Sequence, residues 1–254
     1  MTDTHDHDGG LRADLPRLLR RRAVLSGALA AVAGPAAAQA LSCVGFSNET
    51  AGPFPADGSQ GRASFDVLSE AGVLREDLRP SFAGMTPVAD GVPLTLELSL
   101  VSAGDCAPLP GRALYLWHCD AAGRYSLYED EQANYLRGVG VSGDDGIVRF
   151  TTVFPGCYPG RWPHFHLEVF DSAQAITGGE SSLTSQISLP YAECADVYEA
   201  HPAYVNGTRN LSRQSFERDM IFADNTPEQI EAQMLKLSGS PAQGYKGTIV
   251  IGLT

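Results

Sequence analysis

The 254-residue sequence is short of positive charge, of cysteine and of histidine, and each shortage excludes something. Lysine and arginine number 18 against 30 aspartates and glutamates, a formal net charge of −12. So acidic a chain repels phosphate backbones, which argues against a nucleic-acid partner. Five cysteines without a CxxC pair are too few for a disulfide scaffold and lack zinc-knuckle spacing. An HExxH stretch is missing, so the helical zinc-protease arrangement is excluded. What is present is apolar residue, 43% of the chain, enough for a sizeable core.

Residues 1–40 are a different material from the rest. A polar start reaches Arg20-Arg21-Arg22, and an alanine-rich apolar run then leads to Ala38-Gln39-Ala40. A basic region, a short apolar region and an A-x-A site describe a cleaved export signal. The stretch Arg21-Arg22-Ala23-Val24-Leu25 looks like the twin-arginine variety. A membrane anchor is the competing reading, but the run from Ala23 to Ala40 contains Gly27, Gly34, Pro35 and Gln39. About twenty apolar residues are needed to span. The expectation is an exported protein, periplasmic or extracellular, with no stable membrane anchor after cleavage.

Without residues 1–40 the balance is 13 basic against 26 acidic residues over 214 positions. Four histidines remain, His118, His164, His166 and His201, and two of these are two residues apart. All five cysteines (Cys43, Cys106, Cys119, Cys157, Cys194) remain, so at least one is unpaired within a monomer. Outside the cytoplasm disulfides are permitted, but spacing does not give their connectivity.

Residues 41–92 read as loop-rich, with Gly52-Pro53-Phe54-Pro55 the clearest extended segment. From Leu94 to Leu100 apolar and polar residues alternate, as in a half-buried antiparallel strand. Ala113–Trp117 is an unbroken apolar run, consistent with a central strand. Further strands are expected over 136–141, 147–154, 164–170, 183–189 and 247–253, and Asp144-Asp145-Gly146 suggests a hairpin between two of them. Thr226-Pro227-Glu228-Gln229 has the capping chemistry of a short helix. The pattern over 41–254 predicts one all-β domain, an antiparallel β-sandwich with long loops and few short helices.

The chemistry starts at Pro163-His164-Phe165-His166-Leu167-Glu168-Val169. On a strand His164 and His166 share a face, about 7 Å apart along the chain, and can grip one metal ion. Glu168 lies on that face too, so a ferrous or zinc site built from His164, His166 and Glu168 is open. A pair of ordinary hydrogen-bonded histidines on a non-catalytic, ligand-binding sandwich is open as well. Upstream, Tyr125 follows the turn Asp120-Ala121-Ala122-Gly123-Arg124, and Tyr158 lies in Pro155-Gly156-Cys157-Tyr158-Pro159-Gly160, just before Arg161.

These segments, from Leu116 to Ser126, Leu136-Arg137-Gly138 and Pro155 to His166, resemble the intradiol ring-cleavage dioxygenases, protocatechuate 3,4-dioxygenase and catechol 1,2-dioxygenase among them. Asn48-Glu49-Thr50-Ala51-Gly52-Pro53-Phe54 is similar to the motif that opens their catalytic domain. The resemblance implies that Tyr125, Tyr158, His164 and His166 ligate a non-haem ferric ion. Hard phenolate oxygens with two imidazoles suit Fe(III), and two phenols with pKa of about 10 need a strongly Lewis-acidic centre to ionise. It also implies that Arg161 is the fixed cation beside the iron and that Gln186 hydrogen-bonds near the same pocket. Tyr158 would leave the metal and accept a substrate proton. The implied partners are a catechol-type aromatic and O₂, and the product a muconate-type dicarboxylate. His118 is expected to be structural, and Trp162 to pack against the sheet. Selectivity among catechols and the oligomeric state are not legible at this level.

Overall fold

The computed structural model describes residues 43–59 and 66–254; the expected export signal over 1–40 lies outside the described residues. The strands are β1 (Pro93–Ser102), β2 (Ala113–Trp117), β3 (Arg137–Val141), β4 (Ile147–Val153), β5 (His164–Phe170), β6 (Leu183–Ser188), β7 (Lys236–Ser240) and β8 (Gly244–Leu253). They form two four-stranded sheets, ordered β4-β1-β8-β7 and β3-β2-β5-β6. Three short helices, α1 (Tyr191–Ala200), α2 (Gly207–Leu211) and α3 (Pro227–Ala232), lie in the connections after β6. The expected all-β sandwich is therefore the observed one. Its pairings are antiparallel except β1 with β8, which run parallel with Leu94 opposite Tyr245.

The alternation in β1 sorts its side chains as a half-buried strand should. Leu94, Leu96, Leu98 and Leu100 are buried and face the second sheet, while Glu97 and Ser99 face outward. They meet Leu114 and Leu116 of β2, Phe165, Leu167 and Val169 of β5, and Ile249 and Ile251 of β8 in one inter-sheet core. Full burial stabilises by about 1.5–3 kcal/mol for each such side chain.

β2 and β5, by contrast, are buried at every position. The outer face of their sheet carries a second core, in which Ala56, Val67, Leu68 and Val73 pack on Ala113, Tyr115, Trp117 and Phe170. The loop-rich N-terminal segment is thus a cover over the second sheet. Its key fastener is Arg137 of β3, fully buried, which donates to the carbonyls of Phe54, Pro55 and Ser126 and to the Ser126 and Tyr115 hydroxyls.

One expectation is corrected. Asp144-Asp145-Gly146 does not close a hairpin, because β3 pairs with β2 while β4 pairs with β1 in the other sheet. Gly138 and Gly140 explain the corner. A Cβ on Gly140 would lie 2.4 Å from Val148 Cγ1, so β4 packs against the face of β3 rather than along its edge. The helix at Thr226 has the capping box read from its sequence. Cys43 and Cys106 form a disulfide; Cys119, Cys157 and Cys194 are buried free thiols.

Candidate metal centre

β5 places its odd and even residues on different cores. Phe165, Leu167 and Val169 fill the inter-sheet layer, which turns His164 and His166 onto the covered outer face. Register then fixes their neighbours. Trp117 pairs with His166 across β2 and stacks on it at 4.9 Å and 6°. Gln186 pairs with His166 from β6.

Two loops bring in the tyrosines. Asp120 Oδ1 accepts from the amides of Ala122 and Arg124, and its Oδ2 accepts from the Arg124 guanidinium, which shapes the turn leading to Tyr125. The loop of Tyr158 is held against this turn, with Gly156 N donating to the Asp120 carbonyl at 3.1 Å. Only glycine permits that approach: a Cβ on Gly156 would lie 2.5 Å from the Ala121 carbonyl oxygen. From the far side, Gly52 lies over the His166 ring and Phe54 packs on Tyr125 at 4.7 Å.

The result is a cluster of four donor atoms. His164 Nε2 lies 3.0 Å from His166 Nε2, Tyr125 Oη lies 3.1 Å from His166 Nε2 and 3.4 Å from His164 Nε2, and Tyr158 Oη lies 3.2 Å from His164 Nε2 and 3.3 Å from Tyr125 Oη. Donors so spaced surround a common centre about 2 Å from each, the usual reach of metal–nitrogen and metal–oxygen bonds. His164 Nδ1 donates to the Trp162 carbonyl, which leaves the Nε2 lone pair directed at the centre. His166 Nδ1 is buried with no hydrogen-bond partner among the described residues, so its ring is oriented by packing and by what its Nε2 faces. Burial keeps both rings neutral, His164 with a pKa pushed down to about 3 and His166 well below the ordinary range. Burial raises both phenols above their usual pKa, with Arg161 opposing. Two neutral imidazoles and two phenols with no counter-group fit a hard, highly charged cation.

Glu168 is not part of the cluster. Its carboxylate accepts from Thr184 Oγ1 at 3.3 Å, and burial, reinforced by Asp57, raises its pKa to about 7. Among the described residues, no three His, Cys, Asp or Glu side chains gather as a metal site. The His164–His166–Glu168 alternative therefore fails on position. His118 lies in the interior, bonding Thr152 Oγ1 and the Cys119 carbonyl, and is structural as expected.

Residues 71–175, which carry all four donors and Arg161, match the dioxygenase family model. Over that stretch the chain is similar to the dioxygenases. Its fold is that of the intradiol ring-cleavage dioxygenase from Tetranychus urticae, a solved structure with 22% sequence identity and a TM-score of 0.62 that covers 84% of this chain and 95% of its own. A second solved dioxygenase aligns with a TM-score of 0.62 at 21% identity, again over 84% of this chain and 95% of that one. The dioxygenase domain of a carbohydrate-binding fusion from Streptomyces sp. SirexAA-E aligns at 23% identity and a TM-score of 0.49, over 83% and 99% of the two chains. No curated protein sequence matches the chain.

Arg161 stands beside the centre, Nη1 lying 3.3 Å from His164 Nε2. Three further contacts hold it. Nη2 donates to Gln186 Oε1 at 2.6 Å, and Nε donates to Asp219 Oδ1 and Oδ2 at 3.2 and 3.0 Å. Gln186 in turn donates to the Thr50 carbonyl, so the segment 48–54 and the arginine share one bracket. Asp219 was not anticipated from sequence. Fully buried, it also accepts from the amides of Trp162, Ile221 and Phe222. Burial alone would raise its pKa, but Arg161 and these amides outweigh that and hold it below the ordinary carboxylate value. Trp162 packs on Phe216 at 4.3 Å and donates to the Leu189 carbonyl, as expected of a structural residue.

A cavity of about 460 Å³ borders the two tyrosines of the centre; Phe54, Tyr125, Tyr158, Val205, Arg209 and Asn210 are among its lining residues. That volume suits a small aromatic ligand.

Proposed function

We propose that this protein is a non-haem Fe(III) intradiol dioxygenase, cleaving a catechol-type aromatic between its two hydroxylated carbons to a muconate-type dicarboxylate. The observation that carries this reading is the four-donor cluster of Tyr125, Tyr158, His164 and His166, with a cavity of small-molecule size bordered by its two tyrosines. Bound there, ferric iron supplies a Lewis-acidic centre that takes up the catecholate and draws its electron density toward reaction with O₂.

The protein's own groups divide the work. Tyr125 and Tyr158 both border the cavity, but Tyr125 is buried and Tyr158 half-buried, so Tyr158 would be the one of the two phenols that holds the metal and yields to an incoming catechol. The Tyr158 phenolate oxygen would accept a substrate hydroxyl proton. Arg161, fixed by Gln186 and Asp219, sets a permanent cation beside the ring carbons where anionic character develops. Phe54, packed on Tyr125 at 4.7 Å, lends the cavity an apolar wall beside the metal-binding phenols.

The test is oxygen uptake by the iron-loaded protein against a panel of catechols, read together with its visible spectrum. Tyrosinate-to-iron charge transfer should colour it red-brown, and Tyr158→Phe should shift that band and depress turnover. A colourless preparation with stoichiometric zinc and no oxygen uptake would overturn the reading.

Export is proposed on separate grounds, the twin-arginine-like segment over 1–40. The Cys43–Cys106 disulfide is in keeping with an oxidising compartment.

A further inference from the structure

Two buried ring nitrogens have no hydrogen-bond partner among the described residues, Trp117 Nε1 and His166 Nδ1, and they belong to rings that stack on one another. A buried polar group left without a partner costs free energy, so the pair needs a physical account. His164 shows the ordinary arrangement for a histidine that holds a metal. Its Nδ1 donates to the Trp162 carbonyl, which fixes the ring and its tautomer. His166 lacks any such acceptor, and rotation of a histidine ring about χ2 is soft. Something else has to set its plane.

The indole of Trp117 does so. It lies opposite His166 on the neighbouring strand, ring centroids 4.9 Å and planes 6° apart, so a turn about χ2 swings the imidazole out of the plane that the indole sets. Trp117 is fully buried and stacks in turn on Tyr115, two residues back along β2, at 4.8 Å and 22°. Tyr115 is pinned at its far end, where its hydroxyl donates to the Pro55 carbonyl at 2.7 Å and accepts from Arg137 Nη1 at 3.3 Å. Gly52 closes in on the Cε1 corner of the His166 ring. A Cβ there would lie 3.2 Å from Cε1 and 3.9 Å from each ring nitrogen. We propose that Trp117 is the positioning residue of His166: the column Tyr115–Trp117–His166, closed at its end by Gly52, aims His166 Nε2 at the metal in place of a hydrogen bond to Nδ1. This inference rests on the metal-centre reading of the four-donor cluster.

The experiment compares the iron-loaded protein with Trp117→Leu, Trp117→Phe, Gly52→Ala and Phe150→Leu. The readouts are the distribution of iron against a hydroxamate chelator and the position of the tyrosinate-to-iron band. Phe150 is buried in the inter-sheet core and controls for the loss of a core ring away from the cluster. We expect Trp117→Leu to weaken iron binding about 10- to 100-fold, the usual effect of removing the group that orients a metal-bound histidine, and to shift the band. Trp117→Phe keeps a ring in the column and should recover most of the loss. Gly52→Ala presses on the same ring from its other end and should shift the band with the indole still present, which keeps the test open should Trp117→Leu not fold. Combined with Trp117→Leu, its effect should be smaller than alone, because the released ring can move away. Phe150→Leu should lower the urea midpoint and leave both readouts unchanged. Iron binding and band unchanged in folded Trp117→Leu, an equal loss in Phe150→Leu, or an unmoved band in Gly52→Ala overturns the column and leaves the metal-centre reading standing. An original protein that takes up no iron and shows no charge-transfer band overturns that reading, and this inference with it.

Discussion

Replacing Asp219 with asparagine tests whether Arg161 works because it is held. The substitution keeps size and shape but removes the charge and turns one acceptor oxygen into a donor. Asp219 accepts at both oxygens: Oδ2 from Trp162 N and Arg161 Nε, Oδ1 from Ile221 N, Phe222 N and Arg161 Nε. Whichever way the new amide sits, its NH₂ faces at least two donors. Breaking a buried ion pair from one side costs about 3–5 kcal/mol. The carbonyl that remains preserves some of the bonds, which puts the variant near the lower end, about 3 kcal/mol. The guanidinium keeps its bond to Gln186 but loses its counter-ion and its second fixed point. A misaimed electrostatic group costs kcat, here about 10- to 100-fold by comparison with outright removal of a transition-state donor. KM should stay close to its original value, because Tyr125, Tyr158, His164 and His166 are untouched, and the iron content and visible spectrum should persist. Urea denaturation at two pH values adds a check. A carboxyl held below its unfolded pKa stabilises the fold above about pH 4 and stops doing so as pH falls through its folded value. The stability gap between the two proteins should therefore be full near neutral pH and shrink in acid. If Asp219→Asn retains kcat within about twofold and unfolds within about 0.5 kcal/mol of the original, a change within the range of ordinary surface substitutions, the positioning role is refuted.

The remaining predictions concern groups away from the reacting atoms or the ligands themselves. Tyr125→Phe should lower iron retention more than Tyr158→Phe does, since Tyr125 is buried and contacts both histidines; metal analysis after dialysis checks it. Removing the Cys43–Cys106 disulfide, which spans 63 residues, should cost up to about 4 kcal/mol by the chain-entropy relation, read as a lowered urea midpoint in Cys43→Ser/Cys106→Ser or under reductant. His118 is buried and neutral, its pKa pushed down to about 3 mainly by burial. The unfolded chain therefore binds a proton there that the native state refuses, and stability should fall as pH drops from about 6.5 toward 3. His118→Gln should flatten that part of the pH–stability curve.

The fold was legible wherever periodicity and burial agreed. Leu94 to Leu100 alternate in sequence and in space, and the apolar run Ala113–Trp117 is the inner strand it suggested. β7 was not legible, because Lys236–Ser240 is polar, glycine-containing and mostly exposed. Nor was α1, which buries only Cys194, Val197 and Tyr198 of its ten residues. The hairpin expectation at Asp144-Asp145-Gly146 failed because turn chemistry is local. Which sheet the next strand joins depends on the room that Gly138 and Gly140 leave for Leu78, Val148 and Phe150. In the site, Tyr125, Tyr158, Arg161, His164 and His166 each sit in a short contiguous motif. Asp219 carries no such signal, being a single carboxylate 58 positions from the arginine it holds.

The choice between metal sites shows where strand periodicity stops being informative. Alternation puts His164, His166 and Glu168 on one face, and by that rule alone all three are equal candidates. Each step of two residues, however, advances the chain by about 7 Å. Two neighbouring imidazoles can tilt across one such step until their Nε2 atoms are 3.0 Å apart, as they do here. A third side chain one step further along cannot join them, and Glu168 instead meets Thr184 across from it on β6. A single strand can thus supply two ligands, and the rest of the coordination must come from elsewhere. Here it comes from the turn at Tyr125 and the loop at Tyr158, whose approach depends on Gly156 lacking a Cβ. The proposal of ferric iron rests on the same constraint, since the residues those loops deliver are phenols and not carboxylates.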